Sequence, residues 1–202
     1  TFARVLRYDE NSREWKRLGQ DIFGRLSTVN DPFSIDLCKD GTSLAISSLV
    51  PGSGYVEMYK YRNKSAGWTR MGDAIEATSD QEAVGITVAM STDGQVVAFG
   101  ARLFESSNIV RVYKFVNEEW VKVGVDINSK GTANARRLSL SMSGDGSRVA
   151  VGPQDSTAFS TVFGWNGEVW SQIGSDIASI EMRPAGLQLQ TIAMSEDGDR
   201  VA

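Results

Sequence analysis

Apolar and polar residues alternate through Val110-Arg-Val112-Tyr-Lys-Phe115 and through Val56-Glu-Met58-Tyr-Lys-Tyr61. A period of two puts every second side chain on one face, so these runs predict strands with one buried side. Short apolar runs also lead into and out of Asp-Gly pairs, as in Ile86-Thr-Val88-Ala-Met90-Ser91 before Asp93-Gly94 and Gln95-Val-Val-Ala98-Phe-Gly100 after it. Asp-Gly between two strands predicts a tight turn, because both residues tolerate the positive φ that such turns require. No stretch has the length and 3.6-residue period of a helix.

The pattern repeats. Trp15, Trp68, Trp120 and Trp170 recur at intervals of 53, 52 and 50 residues, and each opens a Trp-x-x-apolar-Gly run that closes on Gly19, Gly72, Gly124 or Gly174. Three residues past each glycine stands Ile22, Ile75, Ile127 or Ile177. Asp40-Gly41, Asp93-Gly94, Asp145-Gly146 and Asp197-Gly198 keep nearly the same phase. Two markers in register predict an all-β protein, a β-propeller of four tandem, four-stranded repeats of about fifty residues. The repeats span approximately 2–53, 54–107, 108–159 and 160–202 of a single domain. They form either a four-bladed ring or a fragment of a larger propeller, since rings of about four to eight blades are allowed. With blades begun at the strand before Asp-Gly, two outer strands (Ala3–Tyr8 and Trp15–Ile22) come first, and two inner strands (Leu189–Ser195 and Arg200–Ala202) come last. The start at Thr1 and the stop inside a strand favour the fragment. The recurrent tryptophans predict packing between units. Trp165 aligns with Tyr8, Tyr61 and Phe115 and reads as a core aromatic.

Composition narrows the chemistry. The 202 residues carry a net charge of −4, which gives a polyphosphate no positive footprint, and no nucleic-acid partner is expected. Histidine is absent. That removes Ser-His-Asp and Cys-His catalysis and the commonest metal ligand. The one cysteine, Cys38, has no partner for a disulfide or a zinc pair and reads as a small buried hydrophobe. No apolar run approaches the roughly 20 residues of a membrane-spanning helix. No cofactor is expected. The Asp-Gly aspartates read as turn residues, because a calcium loop needs several oxygen donors at close spacing.

The run Val84-Gly85-Ile-Thr-Val88, then Ser91-Thr-Asp93-Gly94, then Val97-Ala98-Phe99-Gly100-Ala101, and finally Val110-Arg-Val112-Tyr113 resembles FG-GAP-like repeats. Such repeats form the propeller of integrin α subunits and occur in bacterial and algal surface proteins. The Phe-Gly opening is degenerate at Phe33-Ser34 and Gly186-Leu187, and the calcium loop is missing, so calcium binding is not carried over. The resemblance implies a fold and a habit of binding.

The expectation is therefore a non-enzymatic binding and scaffolding propeller with a protein or glycan partner, in an adhesive surface protein. A structural subunit of a larger assembly is a further reading. Recognition is expected on loops that break register, Leu49–Gly54, Arg102–Asn108, Pro153–Phe159 and Ile180–Gly186, with Arg102, Phe104 and Arg183 as interface anchors. The alternative is a glycan-processing enzyme with carboxylates at the ring mouth, drawn from Asp36, Asp73, Asp126 and Asp176. Against it, Asp126 and Asp176 align with Asp21, and one acid per repeat argues for structure. The family habit and an Asn63-Lys-Ser65 acceptor point to an extracellular or cell-surface location.

Overall fold

A computed structural model of the chain describes residues 2–25, 33–48, 54–80, 82–103, 108–128, 138–153, 159–177 and 191–202. All of its regular structure is strand, with no helix among the described residues. Four short strands come first: β1 (Phe2–Ala3), β2 (Leu6–Asp9), β3 (Glu14–Arg17) and β4 (Ile22–Phe23), paired β1 with β4 and β2 with β3. The first full blade follows as β5 (Phe33–Leu37), β6 (Ser43–Ser48), β7 (Tyr55–Tyr61), β8 (Trp68–Arg70) and β9 (Ile75–Glu76). The second is β10 (Glu82–Met90), β11 (Val96–Leu103), β12 (Asn108–Val116), β13 (Glu119–Lys122) and β14 (Ile127–Asn128). The third is β15 (Leu138–Met142), β16 (Arg148–Pro153), β17 (Ser160–Trp165) and β18 (Trp170–Ile177). Each blade is an antiparallel meander read from inner to outer strand. A bridge between Met194 and Val201 marks the final inner pair. Among the described residues no strand pairing joins this pair to β1–β4, so the sheets do not close into a ring.

The turn between the two inner strands is built alike in every repeat. Gly41, Gly94, Gly146 and Gly198 hold φ between 69° and 72°, which a side chain would strain. The Ser91 hydroxyl accepts the Val96 N–H at 2.9 Å and donates to Asp93 at 2.7 Å, and Asp93 accepts the Gln95 N–H at 2.9 Å. Ser143 with Asp145, and Ser195 with Asp197, repeat this arrangement. Cys38 takes the serine's place in the first copy: its thiol donates to Asp40 at 3.1 Å and its sulfur accepts the Ser43 N–H at 3.0 Å. It is buried, as expected, but as a polar member of the turn. With the Thr42 hydroxyl, the Cys38 thiol and the Thr42 N–H all donating to it, Asp40 is held down to about 2.

The tryptophans seal one repeat on the one before. The Trp68 indole donates to the Leu18 carbonyl at 2.7 Å, Trp120 to Met71 at 2.7 Å and Trp170 to Val123 at 2.9 Å. These carbonyls belong to the residues just before Gly19, Gly72 and Gly124, and the glycines are the seats. A Cβ at Gly19 would come within 2.7 Å of the Trp68 ring, and one at Gly124 within 2.6 Å of Trp165. Each tryptophan also meets an aromatic across its hairpin: Tyr8 with Trp15, Tyr61 with Trp68, Phe115 with Trp120 and Trp165 with Trp170, at centroid distances of 5.0–5.6 Å. The hydrophobic core lies between blades, with Met58, Met71 and Ile75 of the first blade against Val88, Phe99 and Ile109 of the second.

Candidate functional site

The inner strands β5, β10 and β15, with residues 192–196, surround a cavity of about 630 Å³. Here one residue from every repeat converges, so any departure from the repeat makes a unique feature. Ser34, Thr87, Ser139 and Thr191 are hydroxyl residues at one repeat position, and Ser34 and Thr87 among them line the cavity. They include ties to the next inner strand: Ser34 Oγ accepts the Val88 N–H at 3.2 Å, and Ser139 Oγ accepts that of Ile192 at 2.9 Å. Two residues on, the equivalent positions are Asp36, Ala89, Ser141 and Ala193. Asp36 accepts the Met90 N–H at 2.7 Å and the Leu37 N–H at 2.9 Å, and Ser141 accepts the Met194 N–H at 2.9 Å. Burial raises the Asp36 pKa above the ordinary carboxylate value, against the pull of those two amides.

At the turn end of the cavity the equivalent residues are Lys39, Thr92, Gly144 and Glu196. The Thr92 N–H donates to the Gly144 carbonyl at 2.8 Å, and the Gly144 N–H to the Glu196 carbonyl at 2.7 Å. Lys39 pairs with Glu196 across the opening. Among the described residues, the cavity thus carries Asp36 in its wall and the Lys39–Glu196 ion pair at its turn end.

The other candidate carboxylates lie elsewhere. Asp73 is fully exposed on the outer rim, 3.6 Å from Arg70. Asp126 sits at a blade joint between Arg111 and Lys122; burial pushes its pKa up, and the bonds from Lys122 and Arg111 pull it below its ordinary value. Asp176 accepts from the Gln172 amide at 2.8 Å. Arg102 is in β11 rather than on a loop, opposite Ala83 and Asn108 and half-buried. Phe104 and Arg183 lie outside the described residues, as do most of the register-breaking segments.

Two ionic clusters were not anticipated. Buried Glu82 is held by Arg111, which also meets Asp126 at 3.2 Å, and accepts from the Thr78 N–H and hydroxyl at 2.8 Å each. Buried Glu57 takes Arg25 at 2.7 Å, Arg70 at 3.3 Å and the Tyr59 hydroxyl at 2.8 Å. Arg4, Glu57, Arg111 and Thr161 occupy the same repeat position, and Arg4 meets Asp21 as Arg111 meets Asp126. The signal was present: Asp21 and Asp126 accompany arginine, and Ala74 stands where the position is Glu57. Among the described residues no group of three or more acids, cysteines or histidines is placed to hold a metal. No helix among them is long and apolar enough to cross a membrane.

No family model matches the sequence, and no curated protein matches it. Solved structures match it as folds. A protein from Bacteroides uniformis, described as a candidate 6-phosphogluconolactonase, superposes with a TM-score of 0.66 at 10% identity, covering 99% of this chain and 56% of that one. The periplasmic gluconolactonase of Pseudomonas aeruginosa gives 0.56 at 18% identity, with 99% and 56% covered. A functionally unknown protein from Desulfotomaculum acetoxidans gives 0.56 at 17%, with 100% and 53% covered. The likeness is one of fold, a β-propeller, and the chain spans about half the length of these neighbours.

These findings correct the FG-GAP and integrin-like reading. What carried that resemblance was the Ser-x-Asp-Gly turn, the Val-Ala strand and the tryptophan run. In the structure these answer demands that any four-stranded blade makes, so they do not single out a family. The expectation of a non-enzymatic scaffold rested on the register-breaking loops and the recurrence of the candidate acids, and its surface setting on the same resemblance. It is corrected as well, because propellers sharing this fold include ones named for lactonase chemistry.

Proposed function

We propose that this chain forms the channel wall of a propeller hydrolase that opens a sugar-derived lactone, with Asp36 as general base. The observation that carries the reading is Asp36 itself, a carboxylate in the cavity wall at a repeat position where the other repeats have Ala89, Ser141 and Ala193. Its two amide donors orient the carboxyl group, and burial, by raising its pKa, makes it a stronger base than a solvated aspartate. Asp36 takes a proton from a water whose oxygen bonds to the lactone carbonyl carbon. The ring C–O bond then breaks, and the ring oxygen leaves as a hydroxyl carrying that proton. The product is the open hydroxy acid. Ser34 and Ser141 accept backbone N–H groups through oxygen, so each hydroxyl keeps its own proton for a polyhydroxylated ligand or the developing oxyanion.

The substrate class is supported by the names of two fold neighbours and by the hydroxyl-lined channel. An envelope or extracellular location goes with this reading, supported by the periplasmic neighbour. Arg102, Phe104 and Arg183 are proposed as interaction residues outside the catalytic step. The test is hydrolysis of gluconolactone and its 6-phosphate followed by acid release. Activity is expected from the chain and is expected to fall by about 10²–10⁴-fold in Asp36→Asn with the fold retained. Equal rates for the two proteins, or no hydrolysis of either lactone, would overturn the proposal.

A further inference from the structure

The Trp68 and Trp120 joints are built alike but filled differently. At Trp68 the Gln20 side chain enters from the preceding repeat: its amide oxygen accepts the Trp68 N–H at 3.0 Å and its amide nitrogen donates to the Trp68 carbonyl at 2.7 Å. At the Tyr61–Trp68 pair both groups therefore point away from β7. Gly67 makes the room, because a Cβ there would come within 2.0 Å of the Gln20 oxygen. Phe115–Trp120 is the matching pair in the next blade, and β13 is that blade's outermost strand, so the Trp120 N–H and carbonyl face its free edge. Here Asp73 stands at the position of Gln20, and Glu119 at that of Gly67. Asp73 cannot act as the glutamine does: a carboxylate has no proton for the carbonyl, and its side chain is fully exposed. The result is a cavity of about 640 Å³ walled by Gly72, Asp73, Tyr113, Glu118, Glu119 and Trp120. The half-buried Tyr113 adds a hydroxyl to this wall. Its equivalent Tyr59 donates to Glu57, but Arg111 holds the Glu57 position in this blade.

We propose that this cavity binds a basic peptide segment of a partner protein through a glutamine side chain. The ligand's carboxamide accepts the Trp120 N–H and donates to the Trp120 carbonyl, as Gln20 does at Trp68. Lysines or arginines beside that glutamine meet Asp73, Glu118 and Glu119. Arg70 lies 3.6 Å from Asp73 but is shared with buried Glu57, so the wall keeps a negative balance. Charge complementarity thus sets the sign of the partner, and the neighbouring joint supplies the pattern of its anchor. The cavity lies between two repeats inside the chain and shares no residue with the one that holds Asp36. The inference is independent of the lactonase reading.

A nuclear magnetic resonance titration of the isotope-labelled chain tests it, with acetyl-Lys-Gln-Lys N-methylamide as the probe. The Trp120 amide signal should move and saturate at roughly millimolar peptide. The same peptide with leucine for glutamine, equal in charge, should bind at least about tenfold more weakly. The glutamine peptide should lose at least about as much on Asp73→Asn/Glu119→Gln. Asp73→Gln/Glu119→Gly copies the Trp68 joint, so it should shift the Trp120 amide without peptide and abolish binding. A Trp120 signal that the glutamine peptide does not move would overturn the inference. So would equal binding of the leucine peptide, or binding that either double variant leaves unchanged.

Discussion

Trp68 and Trp15 are the same residue of the same motif, yet their surroundings differ completely, and that contrast gives a direct measure of the blade joint. Trp68→Ala should cost about 3–5 kcal/mol in denaturant unfolding, as other large core truncations do. Trp15→Ala, at an exposed ring, should cost under about 0.5 kcal/mol. Equal costs would mean that the glycine seat is not what the indole stabilises. Cys38 makes a second contrast. Cys38→Ser should leave stability nearly unchanged, because Ser91, Ser143 and Ser195 already fill that role. Cys38→Val should cost about 1–3 kcal/mol by stranding the Ser43 N–H. The sequence read this residue as apolar because sulfur in a lone cysteine carries no polar signal. Only stacking the four turns, Cys38 over three serines, exposes its function. Asp40 carries a pH signature. Its folded pKa of about 2 lies below the ordinary value of 3.8, so its stabilising contribution is present above about pH 4 and is lost as pH falls toward 2. Asp40→Asn should remove that part of the acid transition, which an unfolding series from pH 2 to pH 5 would read.

At the scale of elements, the third strand of each repeat was legible from its alternation, and its ionic partners were not. Periodicity reports which face is buried. It does not report that a charge on the buried face finds a partner from another strand. Arg111 and Glu82 are 29 residues apart and Arg25 and Glu57 are 32 apart, distances at which chain pattern holds no pairing information. The shared repeat position turns this into a prediction. Arg111→Met leaves buried Glu82 without its cation and should cost about 3–5 kcal/mol. Arg4→Met, at the equivalent exposed site beside Asp21, should leave stability nearly unchanged, because water screens that pair. Thermal or denaturant unfolding of both variants checks the pair, and similar losses would show that burial does not set the difference.

For the whole molecule, the propeller was legible because its demands recur: a turn, a tryptophan and a glycine seat, each needed once per blade. The site was legible only in part. Asp36 stood among four candidate carboxylates, and what separates it is its level in the channel, which depends on inner strands some 53 residues apart converging. The recurring motifs belong to the frame and carry no sign of activity, whereas the proposed base stands where the frame's repeat is broken. The central claim is that Asp36 is a half-buried base in that channel. The measurement that meets it most directly is the pH dependence of kcat/KM for lactone hydrolysis, with the uncatalysed rate subtracted. A base must be ionised to act, so the rate should rise with pH through a single ionisation above the ordinary aspartate value of 3.8 and then level off. Asp36→Asn should abolish that limb. A profile with no such ionisation, or one that Asp36→Asn leaves in place, would contradict the account.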